Sequence, residues 1–241
     1  MNIIFLDTET TDLENPRLVQ LAYKHASSGD IVNEYFKPPV PITYGAMAVH
    51  HITNEIVADK PSFSGSAYQL TLIEVARDSV IVAHNAKFDI STLKNEDITV
   101  TNFIDTMRVA QHLISSDRYS LQFLRYFLNL NVTGAAHDAL GDVLVLEALF
   151  NYLVSQAKNK YSFSSEQELV QKMIELTNAP LLIDVFTFGK YKGRLIKEIL
   201  EENRSYLEWL YNSEMEKDTA LQKAELIYTL DHYLQNTPQS T

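Results

Sequence analysis

The sequence predicts a mixed α/β domain followed by a small α+β domain, and three observations support this fold class. Three β-rich runs separated by turn residues open the chain: IIFLDTET, RLVQLAYKHA and IVNEYFK. Helical patterns then alternate with the continuous apolar run VIVAH, which is typical of a strand buried on both faces. The pattern lapses in the polar stretch SQAKNKYSFSS, so we predict domains over residues 1–158 and 164–236 joined by a linker.

The predicted elements of the first domain follow the order βββ-α-β-α-β-α-α, which favours helices packed on a mixed sheet. The opening runs have the spacing of an antiparallel meander. SAYQLTLIEVARD, TMRVAQHLI and SLQFLRYFLNL have helical spacing, with Ser120 as a candidate N-cap of the third. A long helix is predicted from about Asp138 to Lys158.

The second domain is predicted to begin with a helix in SSEQELVQKMIELT, for which Ser165 is a candidate cap. Two β-rich runs around glycines are expected in LLIDVFTFGKYKGRLIKEIL, and two further helices in YLEWLYNSEMEKD and TALQKAELIYTLDHYL. This order predicts a small α+β domain.

The composition of the chain indicates a globular protein and excludes some kinds of site. A chain of 241 residues that is 46% hydrophobic has ample material for the core of one large or two modest domains. It contains no cysteine, which excludes a disulfide framework and a thiolate metal site. The first apolar run is short and has no basic region before it, so we expect a cytoplasmic protein without a membrane partner.

The formal net charge of −11 is spread along the chain. This charge disfavours a protein that clamps nucleic acid through a wholly basic surface. It does not exclude an enzyme with a small basic surface, because some of the acids can be metal ligands.

Two acids follow the first apolar run. Asp7 and Glu9 lie two residues apart in a predicted strand, so they share a face with Phe5, and their Cα atoms would be about 7 Å apart. Two like charges beside an apolar surface should raise one pKa or require a cation. The alternative is a strand whose last residues are simply hydrated.

Two more acids are predicted near the same place. Asp142 falls inside the apolar sector of the long helix, where an ionised carboxylate costs several kcal/mol unless it is paired or binds a metal. His137 precedes the start of that helix, and Asp138 is explained more simply as a helix-start acid. Asp89 follows the buried strand in HNAKFD, where ligand sites of α/β sheets collect.

Each of these signals is weak alone, but together they predict one site. Carboxylate oxygens suit Mg²⁺ or Mn²⁺. Four carboxylates with a nearby histidine fit a two-metal phosphodiester hydrolase, in which the histidine would remove a proton from water.

The motifs DTET, HNAKFD and HDALGD resemble, in order and spacing, the three motifs of the DEDDh 3′→5′ exonucleases. AMAVHHITNEIVADKPSF, IDTMRVAQHL and SLQFLRYFL are also similar to this family, so the resemblance covers about residues 2–153. It implies a ribonuclease-H-like fold and two Mg²⁺ or Mn²⁺ ions. It further implies that His137 is the general base and that the metal ligands are Asp7, Glu9, Asp89 and Asp142.

The resemblance also implies substrate contacts. In relatives the leucine at the position of Leu13 packs against the terminal base. The other candidate contacts are Thr8, Thr10, His84, Asn85 and Phe88. The alternatives are that Leu13 and Phe88 belong to the core and that Asn85 only caps a turn.

The chain departs from the family at two positions. Asp12 and His51 stand where the family often has glycine. Neither is a ligand position, but Asp12 can change how the loop that carries Leu13 meets the terminal nucleotide.

The segment TFGKYKGRLIKEIL followed by YLEWLY is similar to the C-terminal domain of exonuclease X-like proteins. Lys190, Lys192 and Arg194 interleave there with aromatic residues, which suggests phosphate contacts combined with base stacking. The alternative is a solvated hairpin whose aromatic side chains form the core of the small domain.

The predicted function is therefore a metal-dependent 3′→5′ exonuclease that acts on single-stranded 3′ ends and releases nucleoside 5′-monophosphates. DNA is favoured as the partner because of the C-terminal resemblance, and RNA is the alternative substrate. A non-catalytic nucleic-acid-binding or scaffold module is a second alternative, although the five intact site residues argue against it. A proofreading subunit bound to a polymerase is a third, made less attractive by the second domain. No protein partner is predicted.

Overall fold

The computed structural model describes residues 2–132 and 138–236. The chain divides after Asn178 into two compact units. The boundary predicted at residues 158–164 is therefore too early. Helix α7 (Glu166–Asn178) belongs to the first unit, because Leu169, Val170 and Met173 are buried in the same core as the preceding helix.

The first unit contains a five-stranded sheet in the order β3-β2-β1-β4-β5. The strands are β1 (Asn2–Thr10), β2 (Leu18–His25), β3 (Ile31–Tyr35), β4 (Ser79–Ala83) and β5 (Phe103–Asp105). β1, β2 and β3 pair antiparallel, whereas β4 pairs parallel with β1 and with β5. The predicted meander and the mixed sheet are thus confirmed, with β1 at the centre.

Helices cover both faces of this sheet. They are α1 (Tyr44–His50), α2 (Ala67–Asp78), α3 (Lys87–Asn95), α4 (Thr106–Leu113), α5 (Leu121–Phe127), α6 (Ala139–Lys160) and α7. Strand alternation assigns Ile4 and Leu6 to a core with α2 and α3. It assigns Phe5 to the opposite core, where its ring meets Phe150 of α6 edge-to-face, with centroids 5.4 Å apart.

Helix α6 is the predicted long helix. Its apolar stripe is buried against the sheet face that carries Phe5, whereas Asn151 and Lys158 are exposed. Asp138 is its N-cap, and the Asp138 side chain accepts a hydrogen bond from the backbone N–H of Gly141 at 3.2 Å. A cap of this kind contributes about 1 kcal/mol. The register of the stripe delivers the start of α6 to the end of β1 that carries the acids.

The second unit contains α8 (Ile196–Met215), which is kinked at Asn203, a short 3₁₀ turn and α9 (Ala224–Asn236). The prediction of two β-rich runs before α8 is wrong. In the described residues they reduce to a single bridge between Val185 and Leu195. Gly189 and Gly193 adopt positive φ values of 70° and 86°, so the segment turns instead of extending.

The helices of the described residues were compared with the length and apolarity that a bilayer requires. None of them is long and apolar enough to cross a membrane.

Candidate metal and active site

The site begins at the end of the central strand β1. Asp7 stands opposite Ala22 and Glu9 opposite Gln20 in the pairing with β2, and the pairing shifts between Glu9 and Thr10. Both acids continue the face of Phe5, which is buried under α6. The apolar residues of β1 therefore hold the strand in the core. Its last residues place the carboxylates of Asp7 and Glu9 near the start of α6.

Helix α6 adds the third acid. Asp142 lies in its first turn and is only 8% exposed. One carboxylate oxygen from each of Asp7, Glu9 and Asp142 can be chosen so that all three lie within 4.8 Å of one another. These three residues are called the acidic cluster below. The sequence-based expectation that these acids come together is met by this geometry.

Asp89 lies beside the acidic cluster. It is 3% exposed in the first turn of α3. Its Oδ1 accepts hydrogen bonds from the backbone N–H of Thr8 at 3.0 Å and from the Thr8 hydroxyl at 2.8 Å. Asp89 is not part of the 4.8 Å group, but among the neighbouring charges it acts most strongly on Asp7.

The electrostatics of the site are those of crowded, poorly hydrated acids. Burial raises the pKa of Asp7 well above its usual value, and repulsion from Asp89, Glu9, Asp142 and Asp138 raises it further. Burial and repulsion from Asp142, Asp89 and Asp138 raise the pKa of Glu9 to about 8. Burial raises the pKa of Asp89 to about 7, against the lowering effect of its hydrogen bonds with Thr8.

This donor set fits a hard divalent cation. Its members are carboxylates, which are the ligands that Mg²⁺ and Mn²⁺ prefer. A cation between the acids would replace their repulsion by attraction and favour their ionised forms.

The fifth predicted site residue, His137, lies outside the described residues. The neighbouring Asp138 is described, and Gln20 holds it. The side-chain amide of Gln20 donates to Oδ1 of Asp138 at 3.0 Å and to Oδ1 of Asn33 at 2.9 Å. Gln20 is fully buried. It connects β2 and β3 to the start of α6. The sequence does not predict this role, because Gln20 is a single polar residue within an apolar run.

Gln122 is a second residue that sequence reasoning missed. Its side-chain amide on α5 donates to Oδ1 of Asp142 at 2.5 Å. The only sequence signal is its position within the SLQFLRYFL segment, which indicates a helix but not a contact with the acidic cluster.

A pocket of about 270 Å³ opens beside the acidic cluster. Leu13 lines it and is 81% exposed, so Leu13 does not belong to the core. Phe88 is half-buried and lines the same pocket, as does Thr10. The other lining residues are Glu9, Asp12, Gly45, Ala46, Val49 and His50.

The remaining predicted substrate contacts have other partners. Thr8 is buried and bound to Asp89. Both ring nitrogens of His84 are engaged, one with the Thr106 hydroxyl at 2.9 Å and one with the carbonyl of Tyr119 at 2.7 Å. Burial lowers the pKa of His84. These contacts hold both side chains in place, and their role as substrate contacts stays a prediction.

Asn85 is exposed at the turn between β4 and α3. It adopts a positive φ of 62°, a conformation that asparagine tolerates better than most residues. Its backbone N–H donates to Oδ1 of Asp105 at 3.0 Å. The alternative reading of Asn85 as a turn residue therefore accounts for its backbone, while its side chain is exposed.

The two departures from the family pattern have distinct structural effects. The Asp12 side chain accepts a hydrogen bond from the backbone N–H of Leu13 at 2.7 Å and so shapes the loop that carries Leu13. His51 occupies the left-handed C-cap of α1 with φ at 61°, a conformation that glycine adopts without strain.

His50, which is not among the predicted site residues, also lines the pocket. Its Nδ1 accepts from the backbone N–H of Ile52 at 3.0 Å, so its Nε2 carries the proton and donates to the carbonyl of Thr10 at 3.0 Å. His50 thereby ties the end of α1 to the end of β1.

The basic residues of the second unit lie on the turn before α8. Lys190 and Lys192 are exposed, whereas the Arg194 guanidinium pairs with Glu202 at 2.7 Å and lies 4.0 Å from Glu198. Phe186 and Tyr191 are buried in the core of the second unit. The aromatic side chains therefore form that core, as the alternative reading held, and Phe186 and Tyr191 are not available for stacking on bases.

Comparison with known proteins gives two family matches. Residues 4–150 match the family model described as Exonuclease. Residues 186–214 match the model described as Exodeoxyribonuclease X-like C-terminal.

Two curated proteins illustrate the likeness. Exodeoxyribonuclease 10 of Escherichia coli (strain K12) is 33% identical over 239 residues, which cover 96% of this chain and 98% of that protein. The DNA polymerase III subunit epsilon of Buchnera aphidicola subsp. Acyrthosiphon pisum is 28% identical over 207 residues, which cover 75% of this chain and 86% of that protein.

Two solved structures share the fold. A structure of exonuclease X in complex with 5′ overhanging duplex DNA superposes with a TM-score of 0.56 at 27% identity, covering 73% of this chain and 99% of that one. The zinc-bound E. coli ExoI–ssDNA complex superposes with a TM-score of 0.52 at 20% identity, covering 66% of this chain and 44% of that one. Together these likenesses confirm the predicted ribonuclease-H-like fold.

Proposed function

Because the chain belongs to the exonuclease family, we propose that it is a divalent-metal-dependent 3′→5′ exonuclease that releases nucleoside 5′-monophosphates from single-stranded 3′ ends of DNA. The observation that carries this proposal is the acidic cluster at the end of the central strand, whose three carboxylates approach within 4.8 Å. The relatives named for exonucleases and for a DNA polymerase subunit support DNA as the substrate class.

Mg²⁺ or Mn²⁺ is the proposed metal, with two ions held by Asp7, Glu9, Asp89 and Asp142. When bound, divalent cations supply positive charge that stabilises the charge developing on a phosphodiester during hydrolysis. The support for this ligand set is the close approach of Asp7, Glu9 and Asp142 with Asp89 beside them, together with the burial and repulsion that raise the pKa values of Asp7 and Glu9. Thr8 contributes by holding one oxygen of Asp89 through two hydrogen bonds.

The pocket lined by Leu13 and Phe88 is proposed to receive the terminal nucleotide. Leu13 and Phe88 offer apolar side chains to its base, and the exposure of Leu13 in the free protein leaves that surface to be covered by substrate. His137 is proposed as the base that takes the proton from the attacking water. The water oxygen then bonds to phosphorus, and the bond from phosphorus to the 3′ oxygen of the preceding nucleotide breaks. That oxygen takes a proton from solvent and leaves as the 3′ hydroxyl. We place this activity in the cytoplasm, consistent with a chain without cysteine.

The proposal is tested with 5′-labelled single-stranded DNA and RNA oligonucleotides. Each is incubated with wild-type protein and Mg²⁺, with wild-type protein and EDTA, and with the Asp7→Asn variant and Mg²⁺. We expect a ladder of DNA products that shortens from the 3′ end, requires the metal and is absent for the variant.

Each alternative gives a different result. A ladder with RNA but not DNA would reassign the protein as an exoribonuclease. Retained binding of the oligonucleotides without degradation, in Mg²⁺ and in Mn²⁺, would make the protein a non-catalytic binding module.

The second unit is proposed to add a nucleic-acid contact of its own through Lys190 and Lys192. Their exposure supports this role. Arg194 should contribute less, because its charge is already paired with Glu202.

Neutralising Lys190 and Lys192 by substitution with glutamine should reduce the slope of log affinity against log salt by roughly 1.4. The Asp7→Asn background allows binding of single-stranded DNA to be measured without cleavage. Arg194→Gln is the matched control and should change the slope much less. An unchanged slope in the double lysine variant would refute the proposed contact.

A further inference from the structure

Two side chains of α5 form a chain of hydrogen bonds between the backbone at Val132 and Asp142 of the acidic cluster. The Gln122 amide donates to Oδ1 of Asp142 at 2.5 Å. The Arg125 guanidinium, one helical turn later, donates through Nη1 to Oε1 of Gln122 at 3.2 Å. Arg125 also donates through Nη2 to the carbonyl of Val132 at 2.6 Å. Gln122 thus lies between a cation and a carboxylate, with one end of its amide on each.

These contacts fix the orientation of the Gln122 amide. A carboxamide can rotate to exchange its oxygen and its NH₂ group, which have opposite hydrogen-bonding roles. A guanidinium only donates hydrogen bonds, so the amide oxygen must face Arg125. The NH₂ group is then directed to Asp142. Arg125 therefore ensures that the carboxylate meets a donor and not a second acceptor.

This arrangement differs from an ordinary ion pair to the acidic cluster. If Arg125 contacted Asp142 directly, its full charge would neutralise a carboxylate that the cation requires. The neutral amide orients Oδ1 of Asp142 and leaves the negative charge on the carboxylate. Hydrogen bonds of this kind from outside the ligand set orient metal ligands in many sites.

We propose that Gln122 is a positioning residue that presents Asp142 to a divalent cation, and that Arg125 holds the Gln122 amide in the productive orientation. This inference rests on the metal site of the proposed function. The competing interpretation is that the Gln122–Asp142 hydrogen bond only fastens α5 to α6.

The test measures Mn²⁺ binding directly, without nucleic acid, by titration monitored by electron paramagnetic resonance of free Mn²⁺. Gln122→Met removes the donor while keeping the length of the side chain. Arg125→Met keeps Gln122 but frees its amide to rotate. Gln111→Met is the matched control, because Gln111 lies on α4 and its buried Oε1 has no hydrogen-bond partner among the described residues. The melting temperature of each variant in EDTA reports the stability of the metal-free fold.

We expect Gln122→Met to weaken Mn²⁺ binding roughly 10-fold. Arg125→Met should weaken it less, and the double variant should be no weaker than Gln122→Met because both substitutions remove the same interaction. Gln111→Met should bind like the wild type.

Two results would overturn the inference. If Gln122→Met binds Mn²⁺ as tightly as Gln111→Met, whether or not its melting temperature falls, the hydrogen bond is only a structural fastening. If Gln122→Met fails to fold, unchanged affinity in Arg125→Met leads to the same conclusion. If neither the wild type nor Gln111→Met binds Mn²⁺, the metal site of the proposed function is refuted, and this inference with it.

Discussion

One oxygen of Asp89 accepts two hydrogen bonds from Thr8, from its backbone N–H at 3.0 Å and from its hydroxyl at 2.8 Å. The two residues are far apart in sequence, and the contact joins the start of α3 to the central strand. These hydrogen bonds favour the ionised carboxylate and oppose the raising effect of burial on the pKa of Asp89. Thr8 thereby helps to keep Asp89 negatively charged near neutral pH.

Thr8→Val should therefore shift the pH dependence of divalent-cation binding. Loss of the hydroxyl donor raises the pKa of Asp89 in the metal-free protein, so a higher pH is needed to ionise it before the cation binds. We expect the pH at which Mn²⁺ affinity begins to fall to move upward by about one pH unit. Mn²⁺ titrations at several pH values test this, with Thr8→Ser as the control that retains a hydroxyl. A valine variant that binds Mn²⁺ more weakly by one constant factor at every pH would contradict the prediction.

The metal-free protein should lose stability as pH rises. Asp7, Glu9 and Asp89 keep their protons to higher pH in the folded chain than in the unfolded chain, where they ionise near pH 4. The folded state thus binds more protons between about pH 4 and pH 8, and the free energy of unfolding falls across that range.

Urea unfolding in EDTA at several pH values measures this loss. The Asp7→Asn variant should show a smaller loss, because it removes one of the repelling charges. Mg²⁺ added at about pH 8 should restore stability to the wild type and restore less to the variant. Parallel curves for the two proteins would show that the acidic cluster does not cause the pH dependence.

The effects of substituting Gln20 and Asp138 on stability should be coupled through their hydrogen bond. Gln20→Leu and Asp138→Ala each remove one partner, and the side chain of the buried Gln20 has no hydrogen bond to another acidic side chain among the described residues. A double-mutant cycle in urea unfolding should give a coupling energy of about 1–2 kcal/mol. Asn33→Ala, which removes the other acceptor of Gln20, is the control for general loosening of β2 and β3. Additive effects of the Gln20 and Asp138 substitutions would contradict the coupling.

Leu13→Ala should weaken substrate binding without affecting the fold. Leu13 is 81% exposed, so its removal should change the free energy of unfolding by less than about 0.5 kcal/mol. Covering this side chain with the terminal base would contribute roughly 1.5 kcal/mol, so we expect KM to rise about 10-fold for single-stranded DNA. Leu221→Ala, at a residue that is 68% exposed in the second unit, should leave KM unchanged. Equal KM values for the two variants would remove Leu13 from the proposed contacts.

His51→Gly should stabilise the first unit. Relief of the left-handed conformation gains about 1–2 kcal/mol, and the greater freedom of glycine in the unfolded chain costs about 0.5–1 kcal/mol. The net gain should be about 0.5–1 kcal/mol in urea unfolding. Asn129→Gly is the control, since Asn129 also has a positive φ, 53°, but asparagine tolerates it better. No gain in His51→Gly would mean that its side chain makes a compensating contribution.

The sequence predicted the sheet, the long helix and the convergence of the acids because these depend on periodicity. The alternation of β1 puts Asp7 and Glu9 on the face of Phe5, and the stripe of α6 puts Asp142 against that face. Gln20 and Gln122 were missed because a neutral amide has no periodic signature, and its partner is known only once the elements have packed.

The errors have a related cause. Helix α7 was assigned to the second domain because a polar stretch precedes it, although the burial of Met173 places it in the first core. The sequence predicts two β-rich runs around glycines before α8. The positive φ values of Gly189 and Gly193 turn this segment, and Phe186 and Tyr191 fill the small core instead of a sheet face.

The carboxylates of the site come from β1, α3 and α6, so their positions in sequence extend from Asp7 to Asp142. A ribosome that adds about 5–20 residues per second needs roughly 7–28 s to reach the last of them. Until then the growing chain holds only part of the ligand set. The proposed ligand set can therefore assemble only after the start of α6 has been synthesised.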